Sequence, residues 1–396
     1  MKIEQIKIKN YKAFREAEIL KIPTLSVFLG ANGAGKTTFF DVFGFLSDAL
    51  KYNVTTAVTR RGGYKELASR GFESESISFE VKFRTEEEDG SKSPLITYAL
   101  EIKPEGPKVI VAKEVLKYRR GRTGKPWHFL DFANGSGTAI QNESEYGSGA
   151  EEAREEQVLD APDILAIKGL GQFKRFEAIS NFRKLLDGWY VSNFKIDSAQ
   201  VIPDTGINQN LSTTGDNLSQ VTKYIYEHHH EVFEKIIEKM KQRIPGIDDV
   251  KAVETEDGRI VLKFQDGSFK DPFIARYVSD GTIKMFAYLV LLNEPEKHPL
   301  LCIEEPENYL HPALLQELVE ELREYSQNGG QVFISTHSPD LVNALNIEEL
   351  FWIEKTSGTS QIKRASDDAM VVNLVKEGDQ LGYLWNQGYL QGSRPL

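Results

Sequence analysis

The chain has 396 residues, of which 40% are hydrophobic and 27% are charged, as in an ordinary globular protein that can bury a sizeable core. Its length suggests two or three domains. No apolar run approaches the ~20 residues that span a bilayer, and a single cysteine excludes an internal disulfide framework. The net charge of −11 excludes nucleic-acid binding through the overall field and leaves only local basic patches.

The N-terminal residues alternate charged and apolar side chains, unlike a signal peptide, so we expect a cytoplasmic protein without a membrane-bound part. Strands are predicted over residues 1–28, and the last of them, 25–29, is apolar throughout. Residues 30–38 follow and read G-x-x-x-x-G-K-T-T, a phosphate-binding loop. Apolar residues at helical spacing over 39–50 complete the strand, loop and helix that this motif requires.

The loop suits phosphate because glycines let successive N–H groups point inward and the next helix contributes the positive end of its dipole. The motif predicts that Lys36 reaches the β- and γ-phosphates and that Thr37 holds Mg²⁺. The alternative is a glycine-rich turn with a chance lysine. The residues predicted to bind nucleotide here are Gly30, Asn32, Gly33, Gly35, Lys36, Thr37 and Thr38.

The middle of the chain changes character several times. Residues 51–76 are polar and contain Arg60 and Arg61, which predicts a loop that could reach the nucleotide or a partner. Strict alternation over 77–83, with similar stretches over 96–102 and 109–118, predicts a β meander over 77–132, and the Gly/Ser/Glu-rich stretch 133–156 predicts a mobile loop. The later predicted elements are a helical segment over 161–184, a strand over 189–201, a helix from 218 to about 244, a hairpin over 250–264, helices over 283–292 and 312–326, strands over 300–303, 331–334, 350–354 and 361–364, and C-terminal helices towards residue 390.

Two carboxylates follow the apolar run 300–303. One carboxylate at such a strand end can hold the Mg²⁺ shell and the next can polarise an attacking water, so Glu304 is predicted as a metal residue and Glu305 as the general base. The alternative is a solvated strand end. The fully apolar strand and the fixed exit at Pro306 favour the chemical interpretation.

Two further polar segments accompany these carboxylates. His337 ends another apolar strand, where it could hydrogen-bond the γ-phosphate, although a lone histidine is usually structural. Ser279 opens a helix through Ser-Asp-Gly-Thr, which is an ordinary N-cap and also a potential anion site that includes Gly281.

In this order, the four segments resemble the core of ABC-type ATPases, and within it the RecF/SMC/OLD-like branch of bacterial ATPases. The opening stretch 6–14, with Asn10-Tyr11-Lys12, is similar to the first strand of that branch, and Glu-Pro-Glu-Asn-Tyr-Leu-His-Pro over 305–312 resembles its Walker B and D-loop. The resemblance implies an α/β fold of P-loop NTPase type, with a mixed sheet core, an antiparallel β subdomain and a helical lobe. We assign these parts to 1–75 and 249–396 for the core, 76–160 for the β subdomain and 161–248 for the lobe.

The resemblance also implies a mechanism with ATP and Mg²⁺. Two copies would sandwich two ATP molecules, each lying on Lys36 and Thr37 of one subunit and meeting Ser279 and Gly281 of the other. Glu305 would be the general base and His337 would sense the γ-phosphate. Glu304 would complete the metal shell, in the position where the family has an aspartate.

Members of this branch act in DNA repair, chromosome handling or anti-phage defence, often with a separate nuclease or toxin subunit. The sequence therefore predicts a dimeric ATP-driven switch that acts with DNA or an effector protein. The basic stretch 117–125, from Lys117 to Lys125, is the candidate DNA contact, with a solvated turn as the alternative. Two other functions remain open, a nucleotide-binding subunit of an ABC transporter and a non-hydrolysing scaffold.

Overall fold

The structure, a computed structural model, describes residues 2–84, 94–118, 126–141 and 154–390. It contains two compact units, one formed by the chain up to Trp189 together with the part from Asn346 onward, and the other by Tyr190–Leu345. The four predicted domain ranges stay a prediction. Most of the predicted basic stretch 117–125 and of the predicted mobile loop 133–156 lies outside the described residues.

Seventeen strands are found in the described part of the chain. They are β1 (Lys2–Tyr11), β2 (Phe14–Leu20), β3 (Leu25–Leu29), β4 (Ile77–Arg84), β5 (Ile96–Glu105), β6 (Lys108–Tyr118), β7 (Trp127–Ala133), β8 (Ser136–Ile140), β9 (Arg154–Val158), β10 (Trp189–Val191), β11 (Ile247–Glu254), β12 (Ile260–Asp266), β13 (Phe273–Ile274), β14 (Leu300–Glu304), β15 (Val332–Thr336), β16 (Leu350–Thr356) and β17 (Thr359–Arg364).

The same ranges contain thirteen α-helices. They are α1 (Lys36–Lys51), α2 (Val54–Thr59), α3 (Tyr64–Leu67), α4 (Ala166–Leu170), α5 (Glu177–Asp187), α6 (Ile196–Ala199), α7 (Leu218–His228), α8 (His230–Arg243), α9 (Asp280–Leu292), α10 (Leu315–Gln327), α11 (Pro339–Asn343), α12 (Ala369–Lys376) and α13 (Leu381–Gln387). None of them is long and apolar enough to cross a membrane.

The first unit contains an eight-stranded antiparallel sheet with the strand order β2-β1-β4-β5-β6-β7-β8-β9. Its central strands alternate buried and half-buried residues, as β4 does from Ile77 to Arg84, because one face packs on the core. The predicted meander over 77–132 is therefore confirmed for its described part. Strands β8 and β9 occupy the two ends of the predicted mobile loop, so the prediction of a loop was wrong there.

A second sheet segment of the first unit positions the phosphate-binding loop. Strand β16 runs parallel to β3 and antiparallel to β17, which makes this segment mixed. All five residues of β3 are buried. The ring of Phe28 lies 4.4 Å from that of Phe39 on α1 and 5.2 Å from that of Phe351 on β16, so aromatic packing fixes the helix against the sheet.

The prediction of a loop over 51–76 was wrong, because α2 and α3 lie within this range. Helix α2 reads Val-Thr-Thr-Ala-Val-Thr, and its β-branched residues have weak helix propensity. A local cap and burial compensate for this weakness: Asn53 accepts a hydrogen bond from Thr56 N–H at 2.7 Å, and Val54 and Ala57 are fully buried.

The second unit combines a parallel strand pair with helices and a small antiparallel sheet. Strands β14 and β15 pair in parallel, and β11, β12 and β13 form the antiparallel sheet. Helix α9 is buried at eleven of its thirteen residues, so it is a core helix. Cys302 on β14 is fully buried, and burial raises the pKa of its thiol well above the ordinary value.

Two predicted elements of the second unit differ from the structure. The single helix predicted from 218 to 244 is two helices, because the backbone of His229 leaves helical geometry between α7 and α8. Both helices contact β11. The strand predicted over 189–201 covers only Trp189–Val191 and gives way to α6.

A buried carboxyl group links the antiparallel sheet to α4. Glu114 on β6 accepts hydrogen bonds from the N–H groups of Ala166 and Ile167, at 2.5 and 3.2 Å, and from the hydroxyl of Tyr98 at 3.1 Å. It is completely buried, and desolvation outweighs these three donors and raises the pKa of Glu114 to about 7. The first turn of α4 is thus held by a group that titrates near neutrality.

We expect the stability to depend on pH through Glu114. Because its pKa is higher in the folded state than the 4.5 of the free group, the protonated form is favoured by folding. Its contribution is complete below pH 4.5 and is lost as the pH rises through 7, by about 3 kcal/mol. Urea unfolding of the wild type and Glu114→Gln at several pH values measures this, and a stability difference that does not change with pH would contradict it.

Candidate functional site

The phosphate-binding loop occupies the turn between β3 and α1 in the first unit. Lys36 is buried, and its ammonium donates hydrogen bonds to the carbonyls of Gly30 at 2.7 Å and Ala31 at 3.3 Å. The loop therefore curls around the lysine side chain. Thr37 and Asn32 are exposed, and Thr38 is half-buried.

Gly35 sits at the N-cap of α1 with φ of 115°, a conformation that other residues rarely adopt. A Cβ atom at this position would lie 2.7 Å from Ser360 Oγ, whose hydroxyl donates to the carbonyl of Ala34 at 2.6 Å. Strand β17 thus approaches the loop so closely that a side chain at position 35 would have to displace Ser360. The first turn of α1 is Lys-Thr-Thr-Phe, so its N–H groups face no carboxylate from their own turn and suit an anion.

A partly buried ionic cluster anchors α1 behind the loop. Asp41 accepts hydrogen bonds from Tyr11 Oη at 2.7 Å and from Arg61 Nε at 2.6 Å, and Lys12 Nζ also contacts it. Burial opposes ionisation of Asp41, but Arg61 and Lys12 outweigh it and hold the carboxyl pKa below its ordinary value. Arg61 also pairs with Asp48 at 2.8 Å, so this predicted loop residue braces the helix.

The predicted carboxylates lie where β14 ends in the second unit. Glu304 is the last residue of β14 and pairs with Ser335 of β15. Glu305 N–H donates to the carbonyl of Ser335 at 2.8 Å, after which the backbone of Glu305 turns to a φ of 45°. A left-handed glutamate is strained, and such strain is common where a side chain must be aimed precisely at a ligand.

The same strand edge brings His337 to Glu305. His337 Nδ1 lies 3.2 Å from Glu305 Oε1 and 3.6 Å from Glu307 Oε1. Glu307 is buried, and its Oε1 accepts hydrogen bonds from Thr336 Oγ1 at 2.6 Å and from His337 N–H at 3.1 Å. Glu307 therefore joins the turn after β14 to the end of β15.

Glu307 and Lys284 were missed as site residues. The sequence held a signal for the first, since Glu305-Pro306-Glu307 places two carboxylates two positions apart. Lys284 gave no sequence signal, because a lysine on an apolar helix resembles a surface residue that snorkels to water. In the structure it is buried and contacts the turn after β14.

The loop before α9 lies beside the same turn. Ser279 caps the helix by accepting a hydrogen bond from Thr282 N–H at 3.3 Å, as predicted for an N-cap. A Cβ atom on Gly281 would lie 2.7 Å from the carbonyl of Tyr309, so the first turn of α9 and the turn after β14 are in close contact. A cavity of about 690 Å³ opens here, lined by residues 279–282, Arg243, Tyr309 and Glu317 among others.

Each unit thus carries its own group of predicted residues. The first unit holds Lys36, Thr37 and the other loop residues. In the second unit, Glu305 and His337 are brought together, and Ser279 and Gly281 lie beside the turn that follows Glu305. The roles assigned to these residues stay predictions.

The fold and these motifs define an ABC-type ATPase of the RecF/SMC/OLD-like branch, as the sequence predicted. Residues 25–343 match the family described as "AAA domain, putative AbiEii toxin, Type IV TA system". The chain belongs to this family.

Individual relatives support this assignment. The chain is 26% identical over 213 residues to the protein named Old nuclease of Escherichia phage P2, and the match covers 43% of this chain and 36% of that protein. Two solved SMC heads share its fold. One is bound to the C-winged helix domain of ScpA, with a TM-score of 0.56, 12% identity and coverage of 92% of this chain and 98% of that one. The other, with an extended coiled coil and bound to a ScpA domain from Pyrococcus furiosus, has a TM-score of 0.51, 12% identity and coverage of 94% and 99%.

A matched pair of substitutions tests the packing of the loop. In Gly35→Ala the new methyl group must displace Ser360, whereas in Gly33→Ala it meets no atom within 4 Å, although Gly33 also has a positive φ of 80°. Both variants have backbone strain, and overpacking adds about 1–3 kcal/mol to the first. We expect Gly35→Ala to unfold at a lower urea concentration than Gly33→Ala. Equal midpoints would contradict the close approach of β17.

Proposed function

We propose that the chain binds and hydrolyses ATP. The observation that carries the proposal is the arrangement at the end of β14, where strained Glu305 lies within hydrogen-bond distance of His337. A carboxylate at the end of a buried strand can accept a proton from an attacking water, and a neighbouring histidine can orient it or contact the phosphate. Membership of an AAA domain family supports this chemistry.

The residues present fit ATP with Mg²⁺. Gly35 has a φ of 115° and lets the loop pass close to Ser360, and α1 begins with N–H groups that face no carboxylate from their own turn. Mg²⁺ is usually held by one or two carboxylates together with phosphate oxygens, and the residues that we propose for it are Thr37 and Glu304. In the described residues, no group of three or more His, Cys, Asp or Glu side chains forms a metal site of its own. When bound, Mg²⁺ would neutralise phosphate charge.

Four residues of the chain have separate roles in the proposed hydrolysis. Lys36 leaves the loop carbonyls and pairs with phosphate oxygens, which replace the carbonyls as acceptors of its ammonium protons. Glu305 takes the proton of the attacking water, and His337 holds the orientation of Glu305 through Nδ1. Glu307 keeps His337 in place by accepting a hydrogen bond from the main-chain N–H of His337.

We also propose that the chain works as a cytoplasmic dimer coupled to a further partner. In the proposed dimer, Ser279 and Gly281 of one copy meet the ATP held by the other. The SMC heads described above were solved with a bound ScpA domain, and the phage relative is named a nuclease, which favours a protein effector or DNA. The resemblance to the RecF/SMC/OLD-like branch supports a role in DNA repair or anti-phage defence. No observation favours a transporter subunit.

The substitution Glu305→Gln tests the proposed general base. It keeps the size of the side chain but removes its basicity, so we expect ATP turnover to fall at least 100-fold while ATP binding remains. Glu320→Gln, at an exposed position on α10, is the matched control and should keep wild-type turnover. Unchanged turnover in Glu305→Gln would reject the assignment, and ATP-induced dimers of this variant in sedimentation would support the proposed sandwich.

DNA stimulation tests the proposed partner. If the basic stretch 117–125 contacts duplex phosphates, DNA should raise the ATPase rate at low salt, and the effect should weaken with added salt because counterions are released on binding. Replacing Arg119, Arg120 and Arg122 with Ala should remove the stimulation and keep the basal rate. A rate that DNA does not change would instead favour a protein effector.

A further inference from the structure

A lysine ammonium is buried between α9 and the turn that carries Glu305. Lys284 lies in the first part of α9 and is 5% exposed. Its Nζ donates to the carbonyl of Asn308 at 2.8 Å and approaches the carbonyl of Glu305 at 3.4 Å. Both acceptors belong to the turn after β14, so this ammonium binds main-chain atoms on either side of Glu307.

The turn has unfavourable backbone geometry that needs such support. Glu305 and Tyr309 both have positive φ, at 45° and 69°, which non-glycine residues rarely adopt. The geometry also directs two carbonyl oxygens towards the same point, where their dipoles repel each other. A cation between them turns this repulsion into two charge-assisted hydrogen bonds.

The surroundings of Lys284 combine groups that attract its ammonium with burial that opposes the charge. The Tyr288 and Tyr309 rings lie 5.6 and 5.7 Å from Nζ, within the range of cation–π attraction. The negative groups that act on it are Glu305 and Glu307. Burial outweighs both carboxylates and lowers the pKa of Lys284 to about 8, so its charge is retained at neutral pH.

We propose that Lys284 is a positioning residue for the hydrolysis proposed above, because its ammonium holds the turn in the conformation that directs Glu305 to His337. Lys284 lies on the helix that Ser279 opens. The orientation of Glu305 therefore depends on the position of α9, and nucleotide contacts at the start of this helix can reach Glu305 through one side chain. Since this inference rests on the proposed function, its test includes a measurement without ATP.

The variant Lys284→Met keeps the length of the apolar stem and removes the donors. We expect kcat to fall 10- to 100-fold, because a misplaced base loses about this much, while KM changes less than 3-fold since the phosphate loop is untouched. Lys284→Arg should recover part of kcat, because it retains a cation. Lys297→Met is the matched control: its exposed ammonium also donates to a main-chain carbonyl, that of Asn328 at 3.1 Å, and its kcat should equal that of the wild type.

Hydrogen–deuterium exchange of the nucleotide-free protein provides the second measurement. Peptides that cover 305–309 should exchange faster in Lys284→Met, while peptides from β12 in the same unit stay protected and report intact folding. If Lys284→Met does not fold, Lys284→Gln replaces it, because the shorter amide cannot reach both carbonyls. Unchanged exchange at 305–309 in Lys284→Met, or in Lys284→Gln where it replaces that variant, would overturn the inference. A wild-type kcat in the variant used would overturn it as well. If the wild type does not turn over ATP but residues 305–309 exchange faster in the variant, the proposed function is rejected, while the contact of Lys284 with the turn is still supported.

Discussion

The second unit depends on one main-chain hydrogen bond, from Glu305 N–H to the carbonyl of Ser335. It is the last rung of the parallel pair β14–β15, and it fixes where β14 ends. Because parallel strands end at the same edge, Glu305 and His337 emerge side by side. The turn that begins there contains the left-handed backbone of Glu305 and the buried carboxylate of Glu307, and the ammonium of Lys284 contacts it.

In the first unit, the surrounding elements hold the glycine-rich phosphate-binding loop in one conformation. Aromatic side chains of α1 and β3 fix the helix, and the cluster around Asp41 fixes its solvent side. Because the neighbouring elements are rigid, a loop with few large side chains can keep its conformation. Main-chain N–H groups can then face a ligand without the loop collapsing onto itself, with Lys36 occupying the interior.

Much of the fold was predictable from the sequence, because its strongest signals are local. Strict alternation identified the antiparallel strands, and the glycine spacing with an apolar strand identified the phosphate loop. Helix α2 was missed because packing and the cap at Asn53 override the weak propensity of its β-branched residues. The break at His229 was missed because apolar periodicity continues across it. Glu307 was missed as a site residue although the spacing Glu305-Pro306-Glu307 carried a signal, because its contact with Thr336 joins segments distant in sequence. Lys284 gave no signal, since its contact with the turn after β14 cannot be inferred from spacing.

The burial of Cys302 has a practical consequence. It is the only cysteine of the chain, it is fully inaccessible, and its thiol resists ionisation. Since thiolates are the species that react with alkylating reagents, the native protein should present almost no labelling background. A cysteine introduced at an exposed position, such as Tyr383 on α13, would then carry a fluorophore or spin label at a single known site without any need to replace Cys302 in the core of the second unit.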